Sequence, residues 1–295
     1  MKEKDTTKNQ PKQQGQVTKF RDRNLSYKIS VAVSLLLVIC LTVMIAISAS
    51  IAGKSLSNTV SGEFEGIATE NGLKVQAVID TAANTADIIQ DYVLDKYADY
   101  EKNGYNGATE KSAIYDVELQ EMNKQIETFL LSIASSTVKN NDQIDGVGVF
   151  FEPDAFDPAI KDYTVYVSTD DAAKGTAQSY GAYSSYGSQD YYKNAATSQK
   201  ASFTDPYEDQ GSKMFSASFP IVYNGKTQGV IFVDINIEKF SNLRTTDSKY
   251  PNMYVDIVND QSTIIYDSES SDYIGTRLDS LISSKEYAKT QSGID

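Results

Sequence analysis

At 295 residues the chain has room for one large domain or two of ordinary size, and its 27 basic against 40 acidic residues give a formal net charge of −13. That charge excludes a general nucleic-acid surface. There is no histidine and a single cysteine, Cys40, so serine–histidine triads, histidine-ligated zinc, imidazole bases and an internal disulfide are excluded as well. The expectation is a protein that is not an enzyme and uses no cofactor or metal.

Residues 1–28 hold eight basic residues, from Lys2 to Lys28, against Glu3, Asp5 and Asp22. The stretch Lys2 to Lys19, rich in Lys and Gln with Pro11, reads as disordered. From Ile29 to Gly53 no residue is charged and most are apolar, a length that crosses roughly 30 Å of hydrocarbon. A secretory signal peptide is the competing reading, but the polar leader is long and the apolar run exceeds the usual ~7–15 residues. The basic leader predicts a cytoplasmic N-terminus and an outside location for the remainder, which then carries a net charge of about −18. Such a surface suits a polar or cationic small ligand.

Leu56, Val60, Phe64, Ile67, Val75, Val78, Ala82, Ala86, Ile89, Val93 and Tyr97 recur mostly at three- and four-residue intervals, the mark of one apolar helix face. A single helix from Ser55 to Tyr97 would rise about 65 Å and serve as a stalk. Two shorter helices broken near Asn71-Gly72 remain the alternative.

Asn103-Gly104-Tyr105-Asn106-Gly107 interrupts the pattern. A second helix is predicted from Leu119, Met122, Ile126, Phe129, Leu130, Ile133 and Ala134, followed by a polar loop, Lys139 to Asp145. Gly146 to Phe151 and Tyr163 to Val167 read as buried strands, the glycines of the first suggesting close packing. Glu152, Asp154, Asp157 and Asp162 between them lack calcium-loop spacing and read as solvated charge.

Met214 to Val222, Asn224-Gly225 and Gly229 to Asp234 spell a β-hairpin with a type I′ turn. A short helix through Ile237, Phe240 and Leu243 follows. Val255 to Val258 and Thr263 to Tyr266, around Asn259-Asp260-Gln261, begin a smaller module that Asp295 leaves unfinished, so the chain is expected to continue beyond it.

This order of features resembles a double Cache sensor of bacterial methyl-accepting chemotaxis proteins, over roughly Ile29 to Asp295. The resemblance implies an α/β fold: a long membrane and stalk helix leading into two Cache (PAS-like) modules with antiparallel sheets. Its parts would be a cytoplasmic tail (1–28), a transmembrane helix (29–53), a stalk (54–100), a distal ligand-binding module (101–246) and the start of a membrane-proximal module (247–295). It also implies ligand sensing coupled to a cytoplasmic signalling region, with chemotaxis as output and a homodimer as the full receptor. A histidine kinase or diguanylate cyclase output, a binding-only surface protein, and an extracytoplasmic glycosidase built on paired carboxylates are the alternatives.

In the amino-acid-binding branch of that family, one segment carries an arginine, an intervening residue, then tryptophan and tyrosine. Here Gln189-Asp190-Tyr191-Tyr192 stands in its place, with Gln189 at the arginine position and Tyr191 at the tryptophan. Tyr207, Asp209 and Asp234 match the family's further tyrosine and two aspartates, while the tyrosine expected five residues before the arginine falls on Ser184, flanked by Tyr183 and Tyr186. The implied ligand site is Gln189, Tyr191, Tyr192, Tyr207, Asp209 and Asp234; from the residues themselves, the run Tyr180, Tyr183 and Tyr186, interspersed with Gly181, Gly187 and serines, reads as a flexible lid that adds contact area, or as an ordinary exposed loop. Two carboxylates and aromatic faces suit an ammonium group, which brings three donors and a positive charge. Loss of the arginine removes the fork that grips an α-carboxylate. This favours an amine, or an amino-acid derivative whose carboxylate is absent or held elsewhere, over an ordinary amino acid. From the residues alone each tyrosine could equally be packing, Asp209 a turn former, and Asp234 the cap of the next helix.

Overall fold

A computed structural model describes residues 24–104, 107–209 and 211–281. The expected disorder of Lys2 to Lys19 and the unfinished close of the chain after residue 281 lie outside the described residues, as do two residues of the 103–107 interruption. The chain divides into two units, Met1–Glu65 and Gly66–Asp295.

Helix α1 (Leu25–Asn103) runs through both units without a break. In the first unit its apolar residues, Val31 to Ile47 among them, are exposed along the whole uncharged stretch. By length and composition this stretch is able to cross a membrane.

In the second unit α1 buries Ala82, Ala86, Ile89 and Val93, the positions its periodicity marks. No break occurs at Asn71-Gly72. Asn71 is buried, and its amide makes two hydrogen bonds to the backbone of Arg244, donating to the carbonyl (3.0 Å) and accepting from the N–H (2.7 Å). Beside α1 lies helix α2 (Glu121–Asn140), which contributes Ile126, Leu130, Ala134 and Val138 to the same core. Tyr92 and Phe129 stack across the pair at 3.8 Å. Leu119 belongs to strand β2 (Glu118–Gln120), paired with β1 (Thr109–Lys111), rather than to the helix.

Strands β3 (Ile144–Phe151), β4 (Thr164–Ser168), β5 (Ser202–Phe203), β6 (Tyr207–Asp209), β7 (Ser212–Tyr223) and β8 (Lys226–Asn236) form one antiparallel sheet in the order β4-β3-β8-β7-β5, with β6 also on β7. The polar loop before β3 is shorter than Lys139 to Asp145, because α2 keeps its turns to Asn140. The β7–β8 hairpin turns on Asn224 and Gly225 with φ of 50° and 73°, the left-handed pair that a type I′ turn needs.

Because strand side chains alternate, the sheet has two distinct faces. Val147, Val149, Phe151, Val165, Val167, Ala217, Ile231 and Val233 face the α1–α2 core. Phe150, Tyr166, Val230 and Phe232 face the other way, where α4 (Tyr183–Tyr186) and α5 (Asp190–Ser198) cover them with Tyr186, Tyr192 and Ala195. A short helix, α3 (Thr169–Lys174), follows β4 directly, with Ser168 and Asp171 forming its capping box.

Two expectations need correcting. Asp157 is not solvated: it is buried, and its carboxylate accepts from Gln120 N, Asn123 Nδ2 and Ala159 N, so it ties α2 to the β3–β4 connection. The turn after β8 is a 3-10 turn, Ile237–Lys239, and its cap is Asn236, which accepts from Glu238 N, rather than Asp234.

Beyond it, β9 (Asp256–Val258) and β10 (Ile264–Asp267) form the expected small hairpin, followed by α6 (Leu278–Leu281). Asn259 organises the turn, accepting from Gln261 N and Thr263 N, and its amide also donates to Asp205 Oδ1 at 3.0 Å.

Candidate ligand site

The sheet register sets two rows of residues side by side on the α4–α5 face. One row reads Ser168, Gly146, Asp234, Ser216, and the next Tyr166, Gly148, Phe232, Ser218. The two glycines leave β3 bare between its neighbours. A Cβ at Gly146 would lie 2.0 Å from the Tyr166 hydroxyl oxygen, and one at Gly148 would lie 2.1 Å from Cζ of Phe232. The rings of Tyr166 and Phe232 occupy the space those side chains would take.

Tyr166 thereby reaches Asp234, donating to Oδ2 at 2.8 Å. Ser216 donates to Oδ1 at 2.6 Å, and the Tyr207 hydroxyl stands 3.2 Å from Oδ1 and 2.7 Å from Ser216 Oγ. Asp234 is only 4% exposed. Burial pushes its carboxyl up to about 6, while the three hydroxyl donors oppose that rise and nearby Asp209 adds to it. Burial first, then Asp234, pushes the Tyr166 phenol well above its ordinary range, so it remains a donor.

Asp234 lies at one wall of a cavity of about 600 Å³. Tyr180, Tyr191, Tyr207 and Phe232 provide aromatic walls, and among the described residues every charged member of the lining is acidic: Asp190, Asp205, Glu208, Asp209 and Asp234. Asp190, Asp205 and Glu208 are exposed and Asp209 is half-buried, so negative charge runs from the rim to the buried wall. Tyr191, which lines the same cavity, has its phenol raised to about 12, by burial first and then by Tyr180, Asp234 and Asp209.

The structure brings Gln189, Tyr191, Tyr207, Asp209 and Asp234 into this lining. Tyr192, Tyr186 and Tyr183 stand outside it. Successive helix residues diverge by about 100°, so with Tyr191 toward the cavity Tyr192 turns into the core, fully buried, donating to Glu152 Oε1 at 2.8 Å. Tyr186 is also fully buried and donates to the Phe151 carbonyl at 2.7 Å. Tyr183 meets both of them edge-on, with ring centroids 5.3 and 5.8 Å away. The tyrosine-rich run is therefore packed onto the sheet rather than built as a loose flap: Tyr180 packs against Phe150 and Tyr166, and its N–H donates to Thr164 Oγ1.

Sequence reasoning missed Tyr166 and Ser216, whose roles depend on strand register. The alternating glycines of β3 are the signal that points to them, since two side-chain-free positions on one strand face leave room for a neighbouring ring.

Residues 130–242 match the family model described as "Methyl-accepting chemotaxis protein-like, first PDC sensor domain". No curated protein matches the chain. Among solved structures, the extracellular domain of mmHK1S-Z3, named as a histidine kinase, is 20% identical with a TM-score of 0.49, over 74% of this chain and 72% of that one. Methyl-accepting chemotaxis protein X is 18% identical with a TM-score of 0.43, over 74% and 81%. The ligand-binding domain of the Pseudomonas aeruginosa PAO1 amino acid chemoreceptor PctC, solved with GABA, is 16% identical with a TM-score of 0.33, over 68% and 79%. The matched segment takes in α2 from Leu130, the whole six-stranded sheet and the cavity, so the part of the chain that is similar to a methyl-accepting chemotaxis protein-like PDC sensor domain is the part that carries the site.

Proposed function

We propose that this chain is the membrane-anchored, extracytoplasmic sensing part of a bacterial receptor that signals to a chemotaxis output, and that its cavity takes an amine or amino-acid-like ligand by its ammonium group. The observation that carries the ligand class is the lining, in which a buried carboxylate, Asp234, and a half-buried one, Asp209, stand among aromatic walls with no basic residue among the described members. The two carboxylates repel each other, with Asp234 shielded from water by its burial, and a bound ammonium relieves that repulsion while supplying donors. Gln189 at the rim offers an amide where a guanidinium would grip a carboxylate.

In this reading residues 1–28 are the cytoplasmic tail, 29–53 the membrane span, 54–100 the stalk, 101–246 the distal module and 247–295 the start of the proximal one. The full receptor works as a homodimer, because membrane tethering raises the effective concentration of stalk contacts that are marginal in solution.

The test is calorimetry on the chain in nanodiscs of zwitterionic lipid, titrated with n-butylammonium, glycinamide, free amino acids and dicarboxylates. Saturable binding of the ammonium probes, lost in Asp209→Ala and Asp234→Ala, is the expected result. Tight binding of a dicarboxylate that survives both changes would overturn the reading.

A further inference from the structure

We infer that Tyr166 is a positioning residue for the ligand's cationic group, acting through Asp234: its hydroxyl orients the carboxylate and holds it as the anion that the ammonium meets. The inference rests on the ammonium reading above and adds to it a residue outside the recognised motif.

The asymmetry of the Asp234 carboxylate supports it. Oδ1 has two hydroxyl neighbours, Ser216 and Tyr207, whereas Oδ2 has Tyr166 as its single donor among the described residues. A carboxylate oxygen offers two lone pairs, so Oδ2, holding one donor, keeps an acceptor position for a ligand N–H. Removing the Tyr166 hydroxyl would leave that oxygen desolvated and unbonded, a condition that favours the protonated acid.

Tyr166 reaches Oδ2 because β3 gives way to it. The ring crosses a strand whose facing positions are Gly146 and Gly148, and any side chain at Gly146 would meet its hydroxyl.

The surroundings offer no substitute. Facing Asp234 are Ser216 from β7, Tyr207 and Asp209 from β6, bare Gly146 from β3, Tyr180 from the segment before α4 and Tyr191 from α5. The charged group among them, Asp209, is acidic and opposes ionisation of Asp234, and the chain contains no histidine. Hydroxyl donors therefore carry the task of keeping a buried carboxylate charged, and on Oδ2 that task falls to Tyr166.

The experiment measures n-butylammonium and glycinamide affinity of the chain in zwitterionic nanodiscs from pH 5 to 8.5, for the native chain, Tyr166→Phe and Gly146→Ala. In parallel, the Asp234 carboxyl is titrated by carbon-13 NMR without ligand. Native affinity is expected to fall on acidification through about pH 6. Tyr166→Phe keeps the ring and should weaken binding at pH 7.5 by about fivefold to a hundredfold. It should also move the acid limb, and the Asp234 titration, up by about one pH unit. Gly146→Ala, which leaves the hydroxyl in place chemically but evicts it from its seat, should move both in the same direction. Unchanged affinity in Tyr166→Phe, or a loss that is equal at every pH with an unmoved Asp234 titration, overturns the role of Tyr166. Failure of the native chain to bind either probe at any pH overturns instead the ammonium reading beneath it.

Discussion

Tyr166 on β4 hydrogen-bonds Asp234 on β8 at 2.8 Å although a whole strand, β3, lies between them. Two strand spacings amount to about 10 Å, and the contact exists because β3 presents glycine beneath the ring. The result is a buried acid held by hydroxyls, which is a poor arrangement for stability and a suitable one for receiving a cation.

Asp234→Asn should therefore stabilise the ligand-free protein at neutral pH. The folded value of about 6 lies above the ordinary 3.8, so the folded state binds the extra proton between these values and stability falls as pH rises through that window. The penalty is absent below about pH 4 and complete above about pH 7, where it amounts to at most about 3 kcal/mol. Thermal unfolding at pH 4 and pH 7.5 should show a gain in the variant only at the higher pH, together with loss of ammonium binding. An equal gain at both pH values would contradict the assignment of the buried charge.

Gln189→Arg should convert the rim toward ordinary amino acids. Gln189 is exposed at the start of α5 and lines the cavity, so the guanidinium has room and supplies a bidentate partner for an α-carboxylate. A charge-assisted hydrogen bond contributes about 1.5–3 kcal/mol, which corresponds to roughly tenfold to a hundredfold tighter amino-acid binding by calorimetry. Affinity for n-butylammonium, which has no carboxylate, should not rise with it.

Gly148→Ala should unfold more easily. Its Cβ would sit 2.1 Å from the Phe232 ring in a fully packed face, and overpacking of this kind costs about 1–3 kcal/mol. Denaturant titration should show a lower midpoint with an unchanged slope. Because Phe232 is also a cavity wall, ligand affinity should decline in the same variant.

Asn71→Ala should loosen the segment that follows β8. Asn71 holds both the N–H and the carbonyl of Arg244, and a small apolar side chain removes both hydrogen bonds from this exposed residue, at a cost of about 0.5–1.5 kcal/mol for each. Amide hydrogen exchange at Arg244 should accelerate well beyond that of the β7–β8 ladder. Unchanged protection at Arg244 would show that the clasp to α1 adds nothing to local stability.

The elements governed by neighbours along the chain are legible in the sequence itself. Apolar residues at helical spacing locate the buried stripe of α1 from Ala82 to Val93, and Asn224-Gly225 locates the β7–β8 turn, because periodicity and left-handed turn geometry are local properties of the chain. An uncharged stretch of sufficient length marks a helix able to cross a membrane for a similar reason, since hydrocarbon thickness sets a simple length requirement.

What only the tertiary structure decides is which side chains share a face and a partner. Tyr191 and Tyr192 are adjacent in sequence, yet helix phase sends one to the cavity and the other to Glu152. Asp157 is one acid in a polar loop until α2 brings Asn123 to it, and it then becomes a buried tie. Tyr166 and Asp234 stand 68 residues apart, and nothing local relates them. Strand order places β3 between them, register sets its glycines beneath the ring, and the pairing of distant strands that fixes both is a property of the whole sheet.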